Sequence, residues 1–208
     1  INMNKYIRQT LIVFQNFSLF ISSILGIIFY NCFNLNFYKN FYQKENLAPK
    51  IGTTYDDLIQ NTTNLLDYLN HKTTLNLDWY SDKDILHMQD VRTLYNVSYK
   101  TMVFFFVLFI ISTILLVFLC KKKILFYISR TFNKILLSFI IVIGILSCVI
   151  SYNFTSFWIK FHQLLFSNDL WLLSPDESNL IQMVPEEFFI SLITTIIIHI
   201  FILFITLF

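Results

Sequence analysis

The chain has 208 residues, 56% of them hydrophobic and 13% charged, with a net charge of +2 and a mean hydropathy of +0.61. So apolar a composition excludes an ordinary soluble domain and reads as a membrane protein. The small positive balance offers no basic surface for nucleic acid, and no glycine-rich phosphate loop is present, so neither nucleic acid nor nucleotide is expected as a partner.

A hydrocarbon core about 30 Å thick needs roughly 20 apolar residues of helix. The first stretch that qualifies runs from Leu11 to Phe33. Lys5 and Arg8 precede it as in a signal peptide, but its apolar run is too long for an h-region and no small-x-small site follows, so a retained anchor is expected. The polar segment 34–100 comes next. Thr54 with Asp57 reads as a helix N-cap, and Leu58, Ile59, Leu65, Leu66 and Leu69 recur at helical spacing, predicting an amphipathic helix over 54–70. Ser81-Asp82-Lys83-Asp84 is a second start signal, with Ile85, Met88, Val91, Leu94 and Tyr95 on one side and His87 at the edge of that face.

The second apolar stretch, 101–120, begins well after His87. One unbroken helix would carry His87 about 20 Å beyond it at 1.5 Å per residue. A residue acting on lipid is out of reach there, so a bend near Asn96–Ser98 is predicted, laying helix 82–95 on the membrane surface. The third stretch, 135–158, stays apolar to Phe161, so His162 is expected where it leaves the membrane, with Asp169 two turns on if the helix continues. Ser174-Pro175-Asp176 is a turn signal. Pro185-Glu186-Glu187 opens the fourth stretch, 188–208, with proline and acids at a helix N-terminus.

The predicted fold class is therefore an all-α integral membrane protein of four transmembrane helices (about 11–33, 101–120, 135–158 and 188–208). A small helical extracytoplasmic subdomain comes from 34–100 and 160–187. Lys121, Lys122, Lys123, Arg130 and Lys134 crowd the 121–134 loop without an acid, whereas the 160–187 segment sets Lys160 against Asp169, Asp176, Glu177, Glu186 and Glu187. The positive-inside rule then puts both termini and the 121–134 loop in the cytoplasm and both polar segments on the outer face of a multi-pass protein of the cell membrane.

His87 and His162 are the candidate chemical groups, since an imidazole near neutral pKa suits proton transfer at an interface. Each has an Asp further along, Asp90 or Asp169, able to orient it. Trp158 and Trp171 fit an interfacial belt. No tight ligand spacing favours a metal, and His199, inside the fourth stretch, has no partner suited to haem, so no metal or cofactor is expected. Cys32, Cys120 and Cys148 stand singly, against thiol-redox chemistry. No Gly-x-Ser-x-Gly, Ser-x-x-Lys or Cys–His arrangement supplies a nucleophile. Three readings follow: an acyl-transfer enzyme using His as base, a non-enzymatic membrane protein whose outer segments bind a partner, and a metal-assisted lipid hydrolase. Convergence of His87 and His162 would favour the first.

The stretches "YDDLIQNTTNLLDYL", "SDKDILHMQDV" and "FHQLLFSNDLWLLSPDESNLIQMVPEEFF", in this order among the apolar stretches, resemble the lipoprotein intramolecular transacylase (Lit) family of Firmicutes. The departures, Leu165 for a frequent Phe, Asp84 for a usual Glu and Ser174 for a common Asp, touch neither histidine. The resemblance implies a substrate, the diacylated N-terminus of a bacterial lipoprotein, and a reaction moving the sn-2 acyl chain of its S-diacylglyceryl-cysteine to the α-amino group. It implies His87 as the catalytic histidine. By residue type and position, His162, Asn168 and Trp171 are candidate oxyanion donors, and Asp90 and Asp169 candidate orienting groups.

Overall fold

The computed structural model describes residues 4–119 and 124–206. Cys120, the last residue of the second stretch, Lys121, Lys122 and Lys123 of the expected cytoplasmic loop, and the last two residues of the fourth stretch lie outside them. The described residues are helical, without a strand: α1 (Lys5–Cys32), α2 (Leu35–Glu45), α3 (Leu47–Lys50), α4 (Tyr55–Leu69), α5 (Asp82–Leu119), α6 (Ile124–Tyr152), α7 (Phe154–Leu165), α8 (Asn179–Met183) and α9 (Glu186–Thr206). Four of them, α1, α5, α6 and α9, are long and apolar enough to cross a membrane. The chain divides into two compact units, each with its own core.

The first unit comprises the described residues within Ile1–Ile28, Val97–Tyr152 and Ile196–Phe208. Its core is a phenylalanine cluster in which the Phe20 ring lies 5.3 Å from Phe132, 4.7 Å from Phe139 and 4.5 Å from Phe204, with Leu136 and Ile200 beside it. Between membrane helices association rests on packing and hydrogen bonds, because lipid is as apolar as the partner helix. Accordingly Gln15 Nε2 donates to Thr113 Oγ1 at 3.3 Å. The hydroxyls of Ser22, Ser112 and Thr113 donate back to carbonyls of their own helices. At one end the Arg8 guanidinium sits 4.4 Å from the centre of the Tyr127 ring. Arg130 and Lys134, read from the sequence as loop, lie within α6, which opens at Ile124.

The second unit joins Phe29–Asn96 with Asn153–Thr195, and the two polar segments, too small for a core separately, make one together. The Asn34 side chain caps α2 at Asn36 N–H, and Thr54 caps α4 at Asp57 N–H, as its sequence signature predicts. The core packs Leu58, Leu65 and Leu66 of α4 with Tyr42, Tyr80, Met183 and Phe188. Phe188 lies within 5.4 Å of the rings of Phe37, Tyr38 and Phe41. Two tyrosines in this core are bonded: Tyr42 Oη to Thr62 Oγ1 at 2.8 Å, and Tyr80 Oη donating to the Asn61 carbonyl at 2.8 Å.

Two sequence expectations fail on helix boundaries. The bend at Asn96–Ser98 is absent, because α5 is one helix from Asp82 to Leu119. Asn-Val-Ser holds neither proline nor glycine to interrupt the ladder, and Thr101 Oγ1 donates to the Val97 carbonyl at 2.8 Å. The third long helix stops at Tyr152, short of Trp158. Asn153, extended and with its side chain accepting from Ser156 N–H, caps a separate helix, α7, so apolarity ran on past the break and hid it.

Candidate active site

A buried carboxylate anchors the first turn of α5. The Asp84 N–H donates to Ser81 Oγ at 3.2 Å, while Asp84 Oδ2 accepts from Ser81 N–H at 3.1 Å, a reciprocal capping box. Asp84 is 0% exposed, and its Oδ1 accepts the Ser178 hydroxyl at 2.5 Å. The same Ser178 oxygen accepts from Ile181 N–H at 3.2 Å, capping α8. One carboxylate thus ties together the starts of two helices.

Less than a turn further along α5 stands His87, 8% exposed. Its Nδ1 is buried without a hydrogen-bond partner. His162, from α7, is 7% exposed, and the two rings lie 6.1 Å apart between centroids. That spacing leaves their nitrogens beyond direct hydrogen-bonding reach, about 3.2 Å, while letting one reacting group touch both.

The local sequence of α7 dictates where His162 points. Phe154, Trp158 and Phe161 stack in a ladder, with ring centroids 5.6 and 5.3 Å apart. Phe189 lies against Trp158 at 4.4 Å. His162 Nδ1 is 2.8 Å from the Trp158 carbonyl oxygen. A carbonyl only accepts, so Nδ1 carries the hydrogen and Nε2 of the neutral ring is the lone-pair nitrogen. The Trp158 ring meets His162 edge-on at 4.6 Å.

Phe166 ends α7, its N–H donating to the His162 carbonyl at 2.8 Å, and the chain then straps across the site. The Phe166 ring lies 5.4 Å from His87 and 5.7 Å from His162. Trp171 stacks on His162 at 5.0 Å. Asn168 Nδ2 donates to Asp90 Oδ2 at 2.8 Å, and the Lys83 ammonium donates to the Leu172 carbonyl. Lys83, His87 and Asp90, spaced four and three apart, share one face of α5.

Four of the sequence candidates, His87, His162, Asn168 and Trp171, thus come together, with Asp90 bonded to Asn168. Asp169 does not join as expected. The helix ends at Leu165, so Asp169 falls in the strap, where its backbone carbonyl accepts from Leu172 N–H, and the Trp158 carbonyl orients His162 instead. Four contributors were missed: Asp84 and Ser178, whose pairing needs the tertiary fold, and Phe166 and Trp158. The aromatic spacing of α7 was the available signal for Trp158, which the interfacial-belt reading absorbed.

His87 lies outside the apolar run of α5. Its pKa falls from 6.5 to about 4: burial does most of this, the neighbouring His162 adds to it, and the charges on Asp90 and Asp84 pull the other way. Burial also lowers His162, partly offset by its bond to the Trp158 carbonyl. Both rings are therefore neutral near pH 7, each with one lone-pair nitrogen. Neutral His162 offers Nε2 as an acceptor, which removes it from the candidate oxyanion donors.

The family model "Lipoprotein intramolecular transacylase Lit" matches residues 13–189. The chain belongs to the Lit family. It is an integral membrane acyltransferase. Among solved structures it is similar to the membrane integral lipoprotein intramolecular transacylase Lit from Bacillus cereus, with a TM-score of 0.79 and 23% identity over 98% of this chain and 95% of that one. Variants of the Bacillus protein with a histidine replaced by arginine or by alanine match at a TM-score of 0.78 and 24% identity. They cover 97% of this chain and 90% and 92% of their own. A search of curated proteins gave no match. The structural likeness establishes the Lit fold, with its four long apolar helices, as the fold of this chain.

Proposed function

We propose that this Lit family member moves the sn-2 acyl chain of an S-diacylglyceryl-cysteine, at the N-terminus of a bacterial lipoprotein, to the α-amino group of the same cysteine. The product is an N-acyl, S-monoacylglyceryl lipoprotein. The observation that carries the reading is the convergence of two buried, neutral imidazoles, 6.1 Å apart. The replaced histidine in the Bacillus cereus variants accords with it.

The proton count of the reaction calls for two bases. The cysteine nitrogen starts as an ammonium and ends as an amide N–H, so it sheds two protons. One is needed on the departing glycerol oxygen and the other leaves to solvent. His87 takes the first, which frees the amine lone pair to attack the sn-2 ester carbon. It returns that proton to the glycerol oxygen as the C–O bond breaks. His162, its tautomer set by the Trp158 carbonyl, takes the second at Nε2. The substrate provides both nucleophile and ester, so no enzyme serine or cysteine is required, and tethering of the reacting groups in one molecule supplies much of the rate. Asn168 and Trp171 remain the candidate donors to the oxyanion.

Acyl chains need apolar surface, and exposed leucines in the unit that holds the histidines offer it. Leu86, Leu164, Leu165 and Leu172 are exposed and flank the histidines in sequence on α5, α7 and the strap. The basic residues of the 121–134 segment against the acids of 160–187 support an extracytoplasmic site in the cell membrane. A partner-docking surface would have no use for two histidines buried against aromatic rings. Asp84 and Asp90 are bonded to Ser178 and Asn168, which speaks against a metal between them. Mass spectrometry of lipoprotein N-terminal peptides from cells expressing the protein or its His87→Ala variant tests the reading. The lyso form should appear with the first and be lost with the second.

A further inference from the structure

Proton acceptors dominate around the histidines. Each neutral imidazole contributes one lone-pair nitrogen, and His87 Nδ1 has no partner although His87 is more than nine-tenths buried. Beside them the half-buried Asp90 carboxylate is tied at Oδ2 by Asn168. Among the described residues its Oδ1 takes no hydrogen bond, and Asp90 has no lysine or arginine within ion-pair distance. The ion pairs seen are Lys44–Glu45, Lys50–Glu45 and Lys72–Asp67. The cations nearest in sequence are engaged elsewhere. The Arg92 guanidinium lies 4.2 Å from the centre of the Tyr68 ring, and Lys83 bonds the Leu172 carbonyl.

A carboxylate half withdrawn from water, without a cation and close to uncharged His87, whose ring neighbours His162, calls for a ligand bearing positive charge and several N–H donors. We propose that Asp90, fixed by Asn168, is the seat of the α-ammonium group of the substrate cysteine. This rests on the acyl-transfer reading and deepens it. An α-amino group has a pKa near 7.7–8.0 and arrives mostly protonated at neutral pH. Its three N–H bonds match Asp90 Oδ1 and the lone pairs of the two imidazoles.

The placement also eases the first proton transfer. Asp90 is three residues from His87 on one helix, which puts the Cβ atoms about 5–6 Å apart. The ammonium held at Oδ1 is then within reach of the imidazole. When the proton crosses to His87, the positive charge moves but stays beside the same carboxylate, so no charge separation is created in a poorly solvated site. Asn168 is the positioning residue: by holding Oδ2 it fixes the carboxylate and leaves Oδ1 to receive the ammonium.

The test uses full-length protein in nanodiscs and two synthetic diacylglyceryl-cysteinyl peptides. One carries the free α-amine, and the other a hydroxyl in its place, neutral and of similar size. Binding is measured in the non-reacting His87→Ala background. The amine peptide should bind about 10–100-fold tighter than the hydroxyl peptide, as expected for a charge-assisted bond. Adding Asp90→Asn should bring the ratio near one, and Asp90→Glu should restore part of it, which rules out a folding defect. In turnover, Asp90→Asn should raise KM for the amine peptide by a similar factor. If Asp90→Asn leaves the ratio and KM unchanged while the wild-type protein forms N-acyl product, the seat is wrong and the acyl-transfer reading stands. If the wild-type protein forms no N-acyl product, the reading beneath falls, and the seat with it.

Discussion

Ser178→Ala should destabilise this protein out of proportion to the one oxygen it removes. The hydroxyl does two things: it donates to Asp84 Oδ1 at 2.5 Å and accepts the Ile181 N–H that opens α8. Ser178 is 2% exposed and Asp84 0%, so water does not replace the lost donor. A hydrogen bond to a charged group contributes about 1.5–3 kcal/mol. An N-cap adds about 0.5–2 kcal/mol, toward the lower figure for a helix of five residues. The expected loss is about 2–4 kcal/mol. SDS titration of purified protein would measure it, with Asp84→Asn and the double variant completing a cycle. A coupling energy of about 1–2 kcal/mol is expected between the sites. Because the Asp84 capping box sets the turn of α5 that leads into His87, kcat should fall as well. A loss under about 1 kcal/mol with no coupling would refute the reasoning.

Imidazole NMR should find His87 titrating near pH 4, moving up in His162→Phe, which removes a like charge, and down in Asp90→Asn, which removes an attractive one. The folded pKa lies below the unfolded value of 6.5, so the contribution of neutral His87 is complete above about pH 6.5 and is lost as pH falls toward 4. That loss is about 3 kcal/mol, and acid titration of His87→Phe should show a correspondingly shallower decline. Trp171→Ala removes the ring stacked 5.0 Å from His162 and should lower kcat about tenfold or more with a small change in stability, read from turnover and melting together. Phe20→Ala should cost about 2 kcal/mol, less than the 3–5 kcal/mol of an aqueous core, because lipid-embedded packing loses dispersion contacts without a hydrophobic term. SDS titration reads that difference.

The membrane helices were legible because about 20 consecutive apolar residues admit few alternatives. The caps at Thr54 and Ser81 were legible because they are local chemistry. Boundaries inside apolar sequence were not. The break at Asn153 sits within a run that stays hydrophobic to Phe161, so hydropathy passes over it. The continuity of α5 through Asn96–Ser98 was not legible because hydropathy marks only the second apolar stretch as a meeting place with lipid, whereas α7 and the strap carry exposed leucines of their own. The pairing of His87 with His162 was anticipated from type and order. The contacts that fix the pair, the Trp158 carbonyl, the Phe166 ring and the Asp84–Ser178 bond, join residues whose proximity appears only once the fold brings the two segments into one core.

The central claim is tested most directly by following the acyl chain itself. Purified protein in nanodiscs would be given a diacylglyceryl-cysteinyl peptide carrying an isotopic label in the sn-2 chain alone, and the products analysed by mass spectrometry. The label should appear on the α-amino nitrogen of the same peptide, with the sn-2 hydroxyl free, and the conversion should collapse in His87→Ala and fall in His162→Ala. Label released as free fatty acid, label on a different peptide molecule, or undiminished conversion in His87→Ala would contradict the account.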